Sequence, residues 1–113
     1  MSADYKKEFD ELVSTMAKED ASDLHLSEGR QPTIRVAGFL IPISSAQAVS
    51  RQDIKGVLDQ VLNPAKKEIF LEKKEVDFAY THQNGSRFRG NAFFQMGKIS
   101  IALRLIPKAI KTF

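Results

Sequence analysis

Apolar positions near the start of the chain recur with a helical rhythm. Tyr5, Phe9, Leu12, Val13 and Met16 stand four, three, one and three residues apart. That spacing lays one apolar stripe along an α-helix over residues 4–18, with Lys6, Lys7, Glu11 and Lys18 outside it. The rhythm then shortens to two. In "ASDLHLSEG", Leu24 and Leu26 share one face and Asp23, His25 and Ser27 share the other. This predicts a short half-buried strand that ends at Gly29. "PTIRVAG" predicts a second strand, with Ile34 and Val36 inward and Arg35 outward. Gly38 marks a turn, and "FLIPI" reads as a short third strand whose Pro42 implies a sheet edge or a strand end.

Helical spacing returns after Ser50. That residue suits an N-cap, with Asp53 three positions on as a capping-box variant, and Ile54, Val57, Leu58, Val61 and Leu62 form the apolar face. Asn63 and Pro64 stop this helix and open the next, which runs to about Lys73. The rest alternates. Val76, Phe78 and Tyr80 oppose Glu75, Asp77 and Ala79, then Asn84 and Gly85 turn the chain into "SRFRGNAFFQ". A turn at Met96 and Gly97 leads into "KISIALRLI". The order α-β-β-β-α-α-β-β-β has no alternating βα rhythm, which argues against a parallel doubly wound sheet. The pattern predicts an α+β fold. Its sheet is antiparallel, of about five to six strands, with the N-terminal helix and two central helices packed on it.

Hairpin register brings charges together. With Met96-Gly97 as a two-residue turn, Phe94 pairs with Ile99, Ala92 with Ile101, Gly90 with Leu103 and Phe88 with Leu105, giving one wholly apolar face. Slipping by one residue would mix the faces, which a buried face forbids. The same register sets Arg89 directly opposite Arg104, with Arg87 two residues away on the same face. A three-residue loop Gln83-Asn84-Gly85 pairs Thr81 with Arg87, Ala79 with Arg89 and Asp77 with Asn91. Two readings of the arginines stay open. Asp77 and Glu75 can neutralise Arg89 in an exposed ion pair worth well under ~1 kcal/mol. Alternatively the arginines form an anion site, because guanidinium forks match phosphate oxygens.

Composition narrows the chemistry. One hundred and thirteen residues make one domain, and the net charge of +3 is mild. Lysines in "NPAKKEIFLEKKE" sit beside glutamates and read as a solvated helix face. There is no cysteine, so no disulfide or thiolate metal site. The start has no apolar secretory core and no run approaches the ~20 residues of a spanning helix; a cytoplasmic location is the default expectation. His25 and His82 lack ligand spacing, so no metal site is expected, and His82 is expected to be exposed in a turn. No phosphate-binding Gly-x-x-x-x-Gly-Lys-Ser/Thr loop and no nucleophile motif occurs, so this chain alone is not expected to be an enzyme. "RGNAFFQM" is similar to an RNA-recognition RNP1 strand, but Asn91 stands where a stacking aromatic is needed. A stand-alone PAS-like or RNA-binding module is therefore the alternative reading. The end, "IPKAIKTF", reads as a linker cut at a boundary.

Several motifs converge on one family. "ASDLHLSEGRQPTIRVAG", "DFAY", "SRFRGNAFFQ" and "ALRLIPKAIKTF" together resemble the N-terminal domain of the PilT family over residues 18–113. These are the type IV pilus retraction (twitching-motility) ATPases of the type II/IV secretion ATPase superfamily. The resemblance implies a PAS-like domain over residues 1–107, with its N-terminal helix at 1–19, and the start of an interdomain linker at 108–113. It implies a C-terminal RecA-like domain, absent from this chain, that carries the Walker motifs and binds ATP and Mg. It implies a cytoplasmic homohexamer, peripheral to the inner membrane, that meets the pilus platform indirectly, without nucleic acid and without membrane insertion. By the same resemblance, Arg89 and Arg104 are arginine fingers toward the ATP γ-phosphate, and Arg87 is a weaker nucleotide-proximal candidate. Asp23, His25, Arg35 and Asp77 are expected at interdomain or subunit contacts. Ala37 in place of an acid before Gly38, Gly90 in place of a branched residue, and the turn "QMGKIS" depart from the family pattern.

Overall fold

The computed structural model of the chain describes residues 5–107. The expected start of the linker at 108–113 and the first four positions of the expected N-terminal helix lie outside the described residues. Nine elements follow in the expected order. They are α1 (Tyr5–Glu19), β1 (Asp23–Ser27), β2 (Thr33–Val36), β3 (Phe39–Pro42), α2 (Arg51–Val61), α3 (Pro64–Lys73), β4 (Glu75–Thr81), β5 (Arg87–Gln95) and β6 (Lys98–Leu105).

Local chemistry places the helix boundaries. The Ser50 side chain accepts from the Asp53 amide while Asp53 accepts from the Ser50 amide, so the capping box closes at the start of α2. Asn63 Oδ1 accepts from the Lys66 amide at 2.8 Å, with Pro64 in the first turn of α3. Glu28 then fastens α2 to the last hairpin. Its carboxylate accepts from Arg51 Nε at 2.9 Å and from the Ile99 amide. No helix among the described residues is long and apolar enough to cross a membrane.

Six strands form one sheet in the order β3-β2-β1-β6-β5-β4, and every neighbouring pair is antiparallel. Both predicted hairpin registers occur, including Phe94 with Ile99 and Thr81 with Arg87. Met96 (φ 53°) and Gly97 (φ 79°) make a turn of the mirror-image type that matches strand twist. β3 is an outer strand, as Pro42 implied, and its Phe39, Leu40 and Ile41 are exposed. Leu24, Leu26, Phe88, Ala92, Ile101 and Leu103 turn to one side of the sheet. There they join Phe9, Met16, Ile54, Val57 and Phe70 of the helices in one core. The opposite side of the sheet carries the polar set.

One histidine departs from expectation. His82 is buried, not exposed. Its Nε2 lies 2.7 Å from Asp10 of α1, its Nδ1 lies 2.8 Å from the Tyr80 hydroxyl, and Phe9 meets the ring edge-on. Helix α1 covers this end of the β4–β5 hairpin, so a residue beside the turn becomes a tie between helix and sheet.

Candidate functional site

The polar side of the sheet is built as cross-strand rows. Asp23 is the register partner of Arg35 on β2 and of Arg104 on β6, and Arg104 is the partner of Arg89 on β5. Four charged residues therefore cross four adjacent strands in the order Arg35, Asp23, Arg104, Arg89. The next row holds His25, Ala102, Asn91 and Asp77. Ala79 faces Arg89 from β4. Short side chains at Ala79 and Ala102 leave a shallow depression of about 640 Å³, into which Arg89, Arg104 and Lys66 contribute.

Asp23 organises the left half of this face. It is buried, and its Oδ1 accepts from the Ser22 hydroxyl at 2.6 Å. Arg104 Nε donates to Oδ2 at 3.2 Å, and Arg35 Nε stands 3.9 Å from Oδ1. Burial pushes the Asp23 carboxyl up, but the Ser22 hydroxyl, the Arg104 hydrogen bond and charge, and His25 outweigh it and hold the group below the ordinary aspartate value. Asp23 is thus a carboxylate at neutral pH.

Arg89 has a different environment. The acids that the sequence reading set against it are engaged elsewhere: Asn91 Nδ2 donates to Asp77 Oδ1 at 2.7 Å and approaches Glu75 Oε1 at 3.4 Å. Among the described residues the Arg89 side chain makes no ion pair or hydrogen bond. Of the expected site residues, the structure brings Arg89, Arg104, Asp23, His25 and Asp77 to the one depression. Arg87 lies one row further, opposite Thr81, and Arg35 holds the Gly38 carbonyl at 3.1 Å; neither lines the depression. Lys66 was not anticipated, because its helical position placed it on a solvated face. Nor was Asp23 as the acid beside Arg104. No local signal marks it, because the β1–β6 pairing that sets Asp23 against Arg104 joins segments far apart along the chain.

Chemically, the cationic groups Arg89, Arg104 and Lys66 are the prominent feature of this depression. Arg104 has its Nε occupied and its side chain is 74% exposed, so its outer nitrogens face solvent. Beside it stands Arg89 without a carboxylate. Two adjacent forks suit an anion with several oxygens, such as a phosphate chain. Phe93 is the one aromatic ring that β5 turns to this side, which is poor for base stacking.

Comparison with known proteins bears on the fold and the family. No family profile matches the chain. The type IV pilus retraction ATPase PilT of Pseudomonas aeruginosa is 35% identical over 102 residues, covering 90% of this chain and 29% of that protein. The type IV pilus ATPase PilU of the same organism is 31% identical over 105 residues, 93% of this chain and 27% of PilU. The crystal structure of the pilus retraction motor PilT with bound ADP superposes with a TM-score of 0.81 at 28% identity, over 89% of this chain and 29% of that one. The ATPase DotB of Legionella pneumophila gives 0.73 at 26% identity, over 88% of this chain and 28% of that one. The chain spans under a third of the length of these relatives. Sequence and fold together support an N-terminal PilT-like domain.

Proposed function

We propose that this chain serves as the N-terminal domain of a type IV pilus retraction ATPase, and that its open sheet face lends Arg89 and Arg104 to ATP held by a C-terminal RecA-like domain. The observation that carries the reading is the cross-strand pair itself: two guanidinium groups on adjacent strands, over short alanines, with Arg89 lacking any carboxylate among the described residues. Charge builds on the γ-phosphate oxygens as the phosphoryl group leaves, and aligned guanidinium groups stabilise that charge more than the ground state. Mg²⁺ would be held by the C-terminal domain. The arginines of this domain add the remaining positive charge only when the two domains close. Closure would therefore couple hydrolysis to movement between subunits of a homohexamer at the cytoplasmic face of the pilus machine.

The test is turnover in the full-length protein containing this domain. Arg89→Ala and Arg104→Ala should each lower ATPase kcat by about 10²- to 10³-fold, the range for losing one aligned donor to a developing charge. Circular dichroism of the two variants should match the parent. Near-normal turnover in both would sink the assignment.

A further inference from the structure

We infer that Asp23 is a positioning residue for Arg104, which divides the arginine pair into one held fork and one free fork. The inference rests on the reading of this face as a phosphate-facing site, and it concerns how that face is prepared.

The carboxylate is itself fixed before it fixes anything else. Ser22 donates its amide to the Arg35 carbonyl at 2.9 Å, and its own carbonyl accepts from the Leu105 amide at 2.8 Å. Ser22 is therefore pinned to both β2 and β6, and its hydroxyl holds Asp23 Oδ1. Oδ2 is left to face Arg104. It takes the Nε edge of the guanidinium, and that bond narrows the orientations open to the fork. On the far side Arg35 is held by the Gly38 carbonyl, so the row cannot relax by swinging Arg35 away without breaking another bond. A buried acid, 9% exposed in its side chain, thus orients a cation that is 74% exposed. The groups facing Asp23 are Arg35 from β2, Arg104 from β6, and Ser22 and His25 from its own segment.

The charge balance separates positioning from simple attraction. The row holds three cations and one carboxylate, so removing the carboxylate makes the face more positive. A face built only to attract anions would bind them better without Asp23. A face built to present Arg104 in one orientation would lose alignment instead. Ordering one long side chain at the moment of closure is an effect of about three- to tenfold.

Nitrogen-15 relaxation and hydrogen exchange at the arginine Nε–H groups of this chain provide the test. In the wild type, Arg104 Nε–H should be slow to exchange and as rigid as the backbone of β6, while Arg87 and Arg89 should be mobile. Asp23→Asn should move Arg104 into the mobile group. In the full-length protein the same variant should lower kcat about three- to tenfold with KM for ATP unchanged or lower. An Arg104 as mobile as Arg87 in the wild type, or one still rigid in a folded Asp23→Asn variant, would overturn the inference. So would a raised KM with unchanged kcat. If Asp23→Asn does not fold, acid titration of the wild type answers instead. Arg104 Nε should lose protection as the Asp23 carboxyl carbon reports protonation, while the amides of β1 and β6 stay dispersed. Persistent protection there would equally overturn it. The relaxation result does not depend on ATP, so near-normal turnover of the Arg89→Ala and Arg104→Ala variants would refute the finger assignment while leaving the positioning of Arg104 standing or falling on its own data.

Discussion

Substituting Gly90 tests how tightly the sheet carrying the arginines is packed from behind. Gly90 is the register partner of Phe78, and the Phe78 ring lies directly over it. A methyl group on Gly90 would fall 2.2 Å from Phe78 Cζ and 2.4 Å from Cε2. Real carbon–carbon contacts lie near 3.5–4.0 Å, so the ring must move by more than an ångström. Phe78 is buried, at 7% exposure, and a shift that large disturbs its core neighbours. In an unhindered strand, Gly→Ala would stabilise by about 0.5–1 kcal/mol through lost chain entropy. Overpacking of a well-filled core costs about 1–3 kcal/mol. The net expectation for Gly90→Ala is a loss of about 1–2 kcal/mol, or roughly 4–8 °C in Tm for a domain of this size. Urea unfolding followed by circular dichroism gives the value, and a double-mutant cycle gives the cause. In a Phe78→Leu background the obstacle is smaller, so Gly90→Ala should become neutral or stabilising. Equal destabilisation in both backgrounds, or stabilisation in the wild type, would refute the contact argument.

Two further outcomes follow from backbone and charge. Ala37 (φ 51°) and Met96 (φ 53°) hold left-handed conformations before Gly38 and Gly97, so Ala37→Asn and Met96→Asn should each stabilise by about 1 kcal/mol, and additively, because the hairpins are separate; a lower Tm from either would contradict the turn assignment. Asp23 and Glu28 both titrate below their ordinary values of 3.8 and 4.5. For Asp23, burial opposes the shift, while Ser22 and Arg104 produce it; for Glu28, the Arg51 hydrogen bond leads, aided by the Ile99 amide. The unfolded chain then binds protons first, so this stability is complete above about pH 5 and is lost as pH falls through the lower folded values. The urea midpoint should drop across that acid window, and Asp23→Asn should flatten the drop; an unchanged profile would count against the Asp23 pairing.

What could be read from the sequence was local. The capping box at Ser50 and Asp53, the Asn63-Pro64 start of α3 and both late hairpins obey rules that span a few residues, and the structure reproduces them. Burial of His82 was not legible, because the element that covers it is α1, whose Asp10 lies far away along the chain. Pairing of β1 with β6 was hidden for the same reason. Alternation in "SDLHLS" tells which side chains share a face, but nothing in a five-residue strand says which strand lies beside it. Asp23 and Arg104 are 81 positions apart.

That one long-range pairing changes the electrostatic meaning of the arginine pair. Read from the last hairpin alone, Arg89 and Arg104 are two like charges in search of one partner. With β1 beside β6, Arg104 already has a buried carboxylate and Arg89 has none among the described residues. Like-charge contact across the strands is relieved on one side only, which leaves Arg89 as an uncompensated cation on this face. If both arginines were paired within the domain, closing onto a phosphate would require breaking two ion pairs, and the gain on closure would shrink accordingly. If neither were, the isolated face would carry the full repulsion of two opposed cations. One held and one free arginine limits that repulsion while leaving a charge for the anion proposed above.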